Sequence, residues 1–369
     1  MTEPKLMLER LSLSGFKTIR QLEKLELGPM NVLIGPNGAG KSNLLSFFRM
    51  LGQMMDNPGN LQLFVGRAGG ANTLLYNGAA VTEQIQARLE FSAPVSAGYA
   101  FRLAYAAQDT LIFAHEAFTV PDEGGPRWLE LGAGHRESGL IDSFDLDPVH
   151  PLNLYFMLHK CIVHQFHNTS ETARIRQRWS VDDNRVLKED GANLAPFLLR
   201  IRQRHPEHYR RLTETLRQVA PFFADFELFP EHNTVLLRWR EVRSDLLLGP
   251  HQASDGTLRA MALVALLMQP KEELPSIIIL DEPELGLHPR AISVLAGLLQ
   301  TAALSTQVIV ATQSPVLLDH FEPEQVIVAE REDSESIFRR LDRFKLEAWL
   351  EEYTLSDLWD KNVLGGRPR

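Results

Sequence analysis

The sequence predicts an α/β fold that combines a parallel sheet, an antiparallel β subdomain and a helical subdomain. Three short segments, 31–34, 277–280 and 308–311, are almost wholly apolar. Such strands are typical of a parallel sheet whose two faces are both covered by helices. Four further runs alternate apolar and polar residues and are separated by turn residues, which predicts an antiparallel sheet. These runs are 84–91, 99–106, 110–120 and 128–131.

The same two periodicities predict the elements around the first apolar segment. Residues 6–16 alternate in the manner of a half-buried strand. Residues 41 to about 55 place Leu44, Phe48 and Leu51 on one face of a helix. The first apolar strand is therefore expected to lie between an alternating strand and a helix.

Shifts in composition divide the chain into three expected units. An N-terminal lobe, 1–145, carries the antiparallel sheet. A helical subdomain, 146–245, follows it, and a C-terminal lobe, 246–369, returns to the central sheet.

In the middle of the chain and at the start of the last unit, the sequence predicts elements with only approximate bounds. A loop is predicted at 142–151, and helices from 171 to about 223, because apolar residues recur there at helical spacing. The segments 226–228 and 234–239 suggest a returning hairpin, and 258–268 a helix.

The composition excludes several classes of protein. Of 369 residues, 44% are hydrophobic and 23% are charged, which is ordinary for a folded globular protein. The net charge of −9 argues against a surface that is basic throughout, although a local basic groove stays open. The single cysteine, Cys161, excludes a disulfide framework and a multi-cysteine metal site, and it fits a reducing cytoplasm. No apolar run approaches the ~20 residues that cross a bilayer.

Residues 35–42 form a phosphate-binding loop of the Walker A pattern, GxxxxGK[ST], between an apolar strand and a helix. Glycines let the backbone approach phosphate oxygens, and amides at the helix start point towards the anion. Lys41 should reach the β- and γ-phosphates, and Ser42 should hold Mg²⁺. The residues expected to contact the nucleotide are Asn37, Gly38, Ala39, Gly40, Lys41, Ser42 and Asn43.

Two carboxylates, Asp281 and Glu282, directly follow the apolar strand at 277–280. The C-terminal edge of a parallel strand is where ligands bind in such sheets, so this pair should lie beside the phosphate-binding loop. We expect Asp281 to orient Mg²⁺, through water, and Glu282 to polarise the attacking water. Alone, the pair would indicate only an exposed acidic turn; together with Walker A it indicates a hydrolytic site.

Four segments together resemble the ABC-type ATPase heads of the RecF, SMC and OLD proteins. They are the Walker A loop, Ser254-Asp255-Gly256-Thr257 at a helix start, 280–289 (LDEPELGLHP) and 311–315 (ATQSP). The likeness is strongest to a bacterial branch of stand-alone predicted AAA-family ATPases, and it covers nearly the whole chain. It implies an ABC-type ATPase head, in which a P-loop parallel sheet carries an antiparallel β subdomain and a helical subdomain and binds ATP with Mg²⁺.

The resemblance also implies a homodimer. Two heads would close on two ATP molecules, each bound by Walker A of one copy and by Ser254, Asp255 and Gly256 of the other. This segment departs from the LSGGQ form common in transporters, since Asp255 replaces a glycine and Thr257 replaces the glutamine. This departure argues against coupling to transport. The plainer interpretation is that Ser254 or Asp255 caps the following helix.

Further site residues are implied by position within the family pattern. Gln313 falls where such heads usually carry a histidine that touches the γ-phosphate, and an amide can donate the same hydrogen bond but cannot titrate. His288 falls where an aspartate usually lies at the dimer seam, and a helix cap is its alternative role. Gln165 is the candidate for the metal-contacting Q-loop glutamine. His164 and His167 have no clear partner cysteine or acid, so a structural or nucleotide-loop role is preferred for them.

Arginines are frequent between residues 174 and 211, and Trp179 lies among them. One interpretation is a nucleic-acid or partner surface, with arginines on phosphates. The other is a solvated helix face, which the interspersed acidic residues favour.

The resemblance finally implies an ATP hydrolase that acts as an ATP-gated dimeric switch, with Glu282 as the base and Gln313 as the γ-phosphate sensor. It suggests a separately encoded effector, such as a nuclease, in bacterial phage defence or DNA maintenance. No nuclease motif accompanies the ATPase, and the tail after Gln325 is expected to be too short for the TOPRIM domain of OLD proteins. No membrane partner is expected. The sequence allows DNA as a partner. The alternatives are a RecF-like DNA-binding repair ATPase, a transporter's nucleotide-binding subunit, and a nucleotide-binding scaffold with little turnover.

Overall fold

The structure is a computed structural model that describes residues 6–56, 59–92, 97–120, 125–145 and 150–365. Its strands are β1 Met7–Phe16, β2 Ile19–Glu26, β3 Met30–Ile34, β4 Gln84–Ser92, β5 Ala97–Ala106, β6 Thr110–Val120, β7 Arg127–Gly132, β8 Val163–His164, β9 Trp179–Ser180, β10 Phe223–Phe226, β11 Thr234–Val235, β12 Trp239–Glu241, β13 Leu247–Leu248, β14 Ile277–Asp281, β15 Gln307–Thr312, β16 Val326–Glu332 and β17 Glu335–Arg340. Its helices are α1 Lys41–Met54, α2 Asn60–Arg67, α3 Ala71–Leu74, α4 His150–His159, α5 Leu194–Arg204, α6 Pro206–Val219, α7 Asp255–Leu267, α8 Pro289–Ala303, α9 Pro315–Leu318, α10 Arg343–Leu350 and α11 Leu355–Asp360. No helix within the described ranges has the length and apolar character that crossing a membrane requires.

A six-stranded sheet forms the centre of the molecule, in the order β17-β16-β3-β15-β14-β8. Its strands run parallel except for β17, which pairs antiparallel with β16 at one edge. Every residue of β3 and of β15 is buried. The prediction of a parallel sheet from the apolar segments is therefore confirmed, since such strands need cover on both faces.

Two hydrophobic cores lie on the two faces of this sheet. Successive side chains of a strand point to opposite faces. Val32 and Ile278 accordingly pack in one core, whereas Leu33 and Ile279 pack in the other. The first core also holds the buried faces of α5, α6, α7 and α8, and the second holds those of α1, α4 and the N-terminal strands. The central sheet thus separates the helical part from the antiparallel part.

The antiparallel sheet has the order β2-β1-β4-β5-β6-β7, and it confirms the four alternating runs predicted from the sequence. It packs against α1 through aromatic side chains. The ring centroid of Phe47, on α1, lies 5.8 Å from that of Phe16 on β1 and 6.4 Å from that of Phe101 on β5. Because α1 begins at the phosphate-binding loop, these contacts anchor the helix that carries the loop to the antiparallel sheet.

The middle of the chain matches the prediction only in part. Helices are present as α5 and α6, but residues 171–193 are mainly irregular, with a 3₁₀ turn at Arg174–Arg176 and the short strand β9. The predicted hairpin is present, because β10 pairs antiparallel with β12 and places Phe226 opposite Trp239, and β11, between them, also pairs with β9. Side-chain bonds to the backbone, such as those of Arg176, order this irregular segment without a helix.

The loop predicted at 142–151 is also only partly correct. Residues 142–145 form a 3₁₀ turn, 146–149 lie outside the described residues, and α4 has already begun at 150. This helix carries apolar side chains on most sides, including the half-exposed Phe156, so no helical stripe marks it in the sequence. The unit predicted at 146–245 contains strands as well as helices, and its strand β8 belongs to the central sheet.

Replacing Phe47 by alanine should lower the free energy of unfolding by about 3–5 kcal/mol, because a ring buried on all sides is lost and a cavity remains. Phe344→Ala is the matched control. Its ring is 88% exposed, so the change should stay within about 0.5 kcal/mol. Chemical denaturation followed by circular dichroism measures both variants, and equal losses would contradict an anchoring role for Phe47.

Candidate functional site

The phosphate-binding loop joins β3 to α1, and glycine shapes it. Gly38 and Gly40 have φ angles of +81° and +106°, in the left-handed region that favours glycine. A Cβ on Gly35 would collide with the carbonyl oxygen of Ala329, so the loop packs directly against β16. At Gly38 nothing lies within 4 Å of the corresponding position. The loop is therefore closed on the sheet side and open at its tip.

Lys41 is the first residue of α1, and its side chain is buried beneath the loop. The Nζ atom donates hydrogen bonds to the carbonyl oxygens of Gly35 at 2.5 Å and Pro36 at 3.1 Å. Burial lowers the pKa of Lys41, and the nearby carboxylates of Glu282 and Asp281 oppose this effect. Across the described ranges no carboxylate forms an ion pair with this ammonium, so its charge is left for an anion on the loop.

Asp281, at the end of β14, is held by two polar side chains. The Nε2 of Gln165 donates to its Oδ2 at 3.2 Å and to Nδ1 of His167 at 3.2 Å. The Nε2–H of His167 donates to the Asp281 carbonyl oxygen at 3.0 Å, which defines the histidine tautomer. Burial raises the pKa of Asp281, an effect that His167 opposes and Glu282 reinforces.

The donor set around Asp281 fits a hard cation. Both amide hydrogens of Gln165 are used, so its carbonyl oxygen is left to act as a ligand. The hydroxyl of Ser42 and the carboxylate of Asp281 are also oxygen donors, which Mg²⁺ prefers. These oxygen donors, the open loop and the unpaired Lys41 together fit a nucleoside triphosphate bound with Mg²⁺.

Glu282 and Gln313 meet at the tip of the phosphate-binding loop. The Nε2 of Gln313 donates to Oε1 of Glu282 and, at 2.8 Å, to Oδ1 of Asn37. Glu282 has a φ of +43°, and its backbone N–H donates to the carbonyl oxygen of Ala311 at 2.7 Å. One amide thus joins the ends of β14 and β15 to the loop.

Glu284 is a site residue that the sequence analysis missed. It is buried, and its Oε1 accepts hydrogen bonds from the Thr312 hydroxyl and, at 3.4 Å, from the Gln313 backbone N–H. Its Oε2 is buried with no hydrogen-bond partner within the described residues. Burial raises the pKa of this carboxyl. The sequence offered only a weak signal, a third acid after the buried strand.

Ser254 caps α7, as the plainer interpretation proposed. Its Oγ accepts a hydrogen bond from the Thr257 backbone N–H at 3.2 Å. Ser254 and Asp255 are exposed, and no hydrogen bond in the described part of the chain joins them to the phosphate-binding loop. A Cβ on Gly256 would lie 2.5 Å from the carbonyl oxygen of Gly286, so this helix start packs closely against the segment after Glu284.

Two arginines that the sequence analysis did not assign to the site hold this helix start in place. Arg176 is buried and donates to the carbonyl oxygens of Thr169 and Pro250, and at 3.0 Å to the Asp255 carboxylate. This residue therefore does not belong to a solvated helix face or to a nucleic-acid surface, the two interpretations that the sequence allowed.

Arg259, one turn into α7, connects three segments. It donates to the carbonyl oxygens of Phe166 at 3.1 Å, His167 at 3.0 Å and Leu285 at 2.8 Å. The helix that begins at Ser254 is thus bonded to both sides of the Asp281 region. A lone arginine in an otherwise apolar helical segment was the available sequence signal.

His288 and His164, the other two histidines considered in the sequence analysis, are a helix cap and a buried strand residue. Nδ1 of His288 accepts from the Arg290 backbone N–H at 3.3 Å, so His288 caps α8. His164 is buried, and burial lowers its pKa to about 4. The described residues contain no cluster of three histidine, cysteine or acidic side chains that could by itself hold a metal ion.

The raised pKa of Glu284 predicts a pH effect on stability. The folded protein keeps this proton to a higher pH than the unfolded chain, whose carboxyl titrates near 4.5. Folding stability should therefore fall as the pH rises from 4.5 through the raised pKa. Glu284→Gln resembles the protonated acid, so its free energy of unfolding relative to wild type should increase over that window.

Urea unfolding at a series of pH values measures this difference. Glu347→Gln, at an exposed carboxyl, is the control and should show no such trend. A difference between Glu284→Gln and wild type that is flat with pH would contradict the assignment.

Comparison with known proteins identifies the family of this chain. Residues 30–319 match the family described as AAA domain, putative AbiEii toxin, Type IV TA system. The OLD nuclease of Thermus scotoductus is 26% identical over 359 residues, which cover 89% of this chain and 63% of that protein. The chain thus spans 63% of the length of this curated relative.

Solved structures share the fold. An Smc head bound to the C-winged helix domain of ScpA has a TM-score of 0.63 at 15% identity, covering 94% of this chain and 100% of that one. An Smc head domain with an extended coiled coil, bound to the C-terminal domain of ScpA and derived from Pyrococcus furiosus, has a TM-score of 0.59 at 14% identity, covering 94% of this chain and 99% of that one. A head from Pyrococcus yayanosii has a TM-score of 0.54 at 12% identity, again covering 94% and 99%.

The family match extends over most of the chain and includes the phosphate-binding loop, the acidic pair and Gln313. The protein therefore belongs to this AAA-domain family, as an ATPase of the RecF, SMC and OLD kind with the fold of an ABC-type head.

Proposed function

We propose that this protein hydrolyses ATP and acts as an ATP-gated dimeric switch. The observation that carries the proposal is the amide of Gln313, which bonds both to Asn37 of the phosphate-binding loop and to Glu282. A group that contacts both the loop and the expected base can report whether a γ-phosphate is present.

Each residue has a separate task in the proposed reaction. Lys41 and the backbone amides at the start of α1 bind the β- and γ-phosphates. Mg²⁺, held by Ser42, Asp281 and Gln165, would neutralise phosphate charge. Glu282 accepts a proton from the water whose oxygen attacks the γ-phosphorus, while the bond to the ADP oxygen breaks. Gln313 donates a hydrogen bond to the γ-phosphate in place of its bond to Asn37, because its amide has only two hydrogens.

The proposed dimer places the start of α7 against the nucleotide of a second copy. Ser254 and Asp255 are exposed, and the amides of this first helical turn face an anion favourably. Gly256 would approach the γ-phosphate without a side chain in the way. Arg259 then connects the bound helix start to the Asp281 region, so that closure and hydrolysis are coupled.

The biological role that we propose is control of a separately encoded effector in phage defence or DNA maintenance. The family description names a putative toxin of a toxin–antitoxin system, and the curated relative is named a nuclease. Both names support a setting in which an ATPase of this kind controls a damaging activity.

Glu282→Gln should lower the rate of phosphate release by about 10²–10⁴-fold, because an amide cannot accept the proton of the attacking water. Nucleotide binding should be retained, since Lys41 and the loop are unchanged. Phosphate release and equilibrium binding of a fluorescent ATP analogue measure the two properties. Equal rates for wild type and variant would remove Glu282 from the role of base.

The same variant tests the switch. With ATP and Mg²⁺ it should sediment as a dimer, because closure precedes the step that it cannot perform. A strictly monomeric species at saturating nucleotide would contradict the dimeric part of the proposal.

Mixing two inactive variants should restore part of the activity if the site is shared between copies. Lys41→Ala removes the phosphate ligand of one site, and Ser254→Asp keeps a good helix cap but sets a carboxylate against the γ-phosphate. A mixed dimer contains one site with an intact Lys41 and an intact Ser254. Phosphate release from the separate and mixed proteins measures the effect.

Ser254→Asn is the control for this experiment, because it also caps a helix but carries no charge. It should fold as Ser254→Asp does and retain more activity. A mixture that stays inactive, although both variants fold, would place the whole site within one copy.

A further inference from the structure

A cavity lies directly beside the proposed hydrolysis site. It has a volume of about 550 Å³. Along α1 it is lined by Ser46, Arg49 and Gln53, which follow Ser42 in the helix. Three cationic side chains line it. Gln165 and Glu189 form another part of its wall. These cations are Lys17, Arg49 and Arg67. Cavities of this size are in the range that small-molecule ligands occupy.

Lys17 contributes an ammonium without a carboxylate partner. Its Nζ donates to the Ser46 hydroxyl at 2.7 Å, and no acid within the described ranges forms an ion pair with it. The pKa of Lys17 is lowered, first because the ammonium is buried and second because the charge of Arg49 is near. Two like charges are thus held close together at the cavity wall.

The two arginines are also incompletely paired. The Nε of Arg49 is buried without a hydrogen bond from it to any described residue, and its ion pair with Glu189 is long, at 3.6 Å from Nε to Oε2. Arg67 is exposed and has no ion pair within the described part of the chain. Asp190 also faces the cavity, but it is paired with Arg174 at 3.2 Å. The cavity therefore holds an excess of positive charge.

One wall of the cavity belongs to the hydrolysis site. Gln165 lines the cavity and donates to the carboxylate of Asp281. His167 also lines it and donates to the Asp281 carbonyl oxygen. A ligand in the cavity would therefore contact the side chains that position Asp281.

We propose that this cavity binds a phosphate-bearing ligand other than the nucleotide that is hydrolysed, and that its occupancy acts on hydrolysis through Gln165. Guanidinium groups match phosphate oxygens by paired hydrogen bonds, and an ammonium adds a point charge. The inference rests on the proposed function and assigns the chemistry of the signal that sets the switch. The phosphate can come from a free nucleotide or from the backbone of a nucleic acid.

Two probes separate these sources. Glu282→Gln protein is saturated with ATP and Mg²⁺, so that the Walker A loop is filled, and is titrated with thymidine 5′-monophosphate or with single-stranded oligothymidylate. Binding of the monophosphate supports a free nucleotide, and binding of the oligomer alone supports a nucleic-acid backbone. If neither probe binds at low salt, the assignment of the cavity is wrong.

Variants locate the binding. Arg49→Gln and Arg67→Gln should each weaken the bound probe by about tenfold or more, because a charged hydrogen bond is lost. For the oligomer, each should also reduce the slope of log affinity against log salt by about 0.7. Arg211→Gln, at an exposed arginine of α6, is the matched control and should change neither quantity.

The outcomes distinguish this inference from the proposed function. Weaker binding in Arg211→Gln but not in Arg67→Gln would place the ligand on the helical part and overturn the cavity assignment. Because Arg67 is exposed, its replacement tests binding even if Arg49→Gln does not fold. Binding is measured without turnover, so a protein that binds the probes but hydrolyses no ATP would refute the proposed function alone. In wild type the bound probe should change the rate of phosphate release, and an unchanged rate would refute the link through Gln165.

Discussion

Burial of the central parallel sheet on both faces is the constraint on which the rest of the structure depends. Its strands present apolar side chains in both directions, so neither face can be left to water. One face is covered by α1 and the antiparallel sheet, the other by α5 to α8. The covering layers are joined through the sheet, and the polar residues that follow β3, β14 and β15 are brought to one edge of it.

At that edge the protein holds charged groups under opposing influences. Burial disfavours the charged form of Lys41 and also that of the carboxyls of Asp281 and Glu284. The positive charge of Lys41 and the negative charges of the carboxylates stabilise each other. Each group is therefore more easily kept ionised when the others are present. A triphosphate with its cation would add both signs of charge at the same place. The site is thus arranged around groups whose ionisation depends on what is bound.

Two arginines support the residues of the site by donating hydrogen bonds to backbone carbonyl oxygens. Arg259 connects α7 with Phe166, His167 and Leu285, and Arg176 ties the start of α7 to the segments on either side. Except for the bond from Arg176 to the Asp255 carboxylate, these bonds are made to the backbone, so they fix the position of α7 rather than supply reacting groups. A displacement of α7 by a partner copy would change the surroundings of Gln165 and Asp281, which would give the proposed dimer closure a physical route to the proposed hydrolysis.

The sequence by itself determined the parallel sheet, the alternating strands, the phosphate-binding loop and the acidic pair, because each is written in local periodicity or in a short contiguous motif. Helix α1, which buries one clear stripe, was predicted, whereas α4, whose apolar residues face most directions, was not, and neither were β16 and β17. Only the tertiary structure decided that Glu284 is buried against Thr312, that Arg176 is a buried clamp, and that Lys17 and Arg49 line one cavity. These contacts join residues far apart in the chain, and a side chain's burial and partners depend on what the fold brings next to it, which no local pattern records.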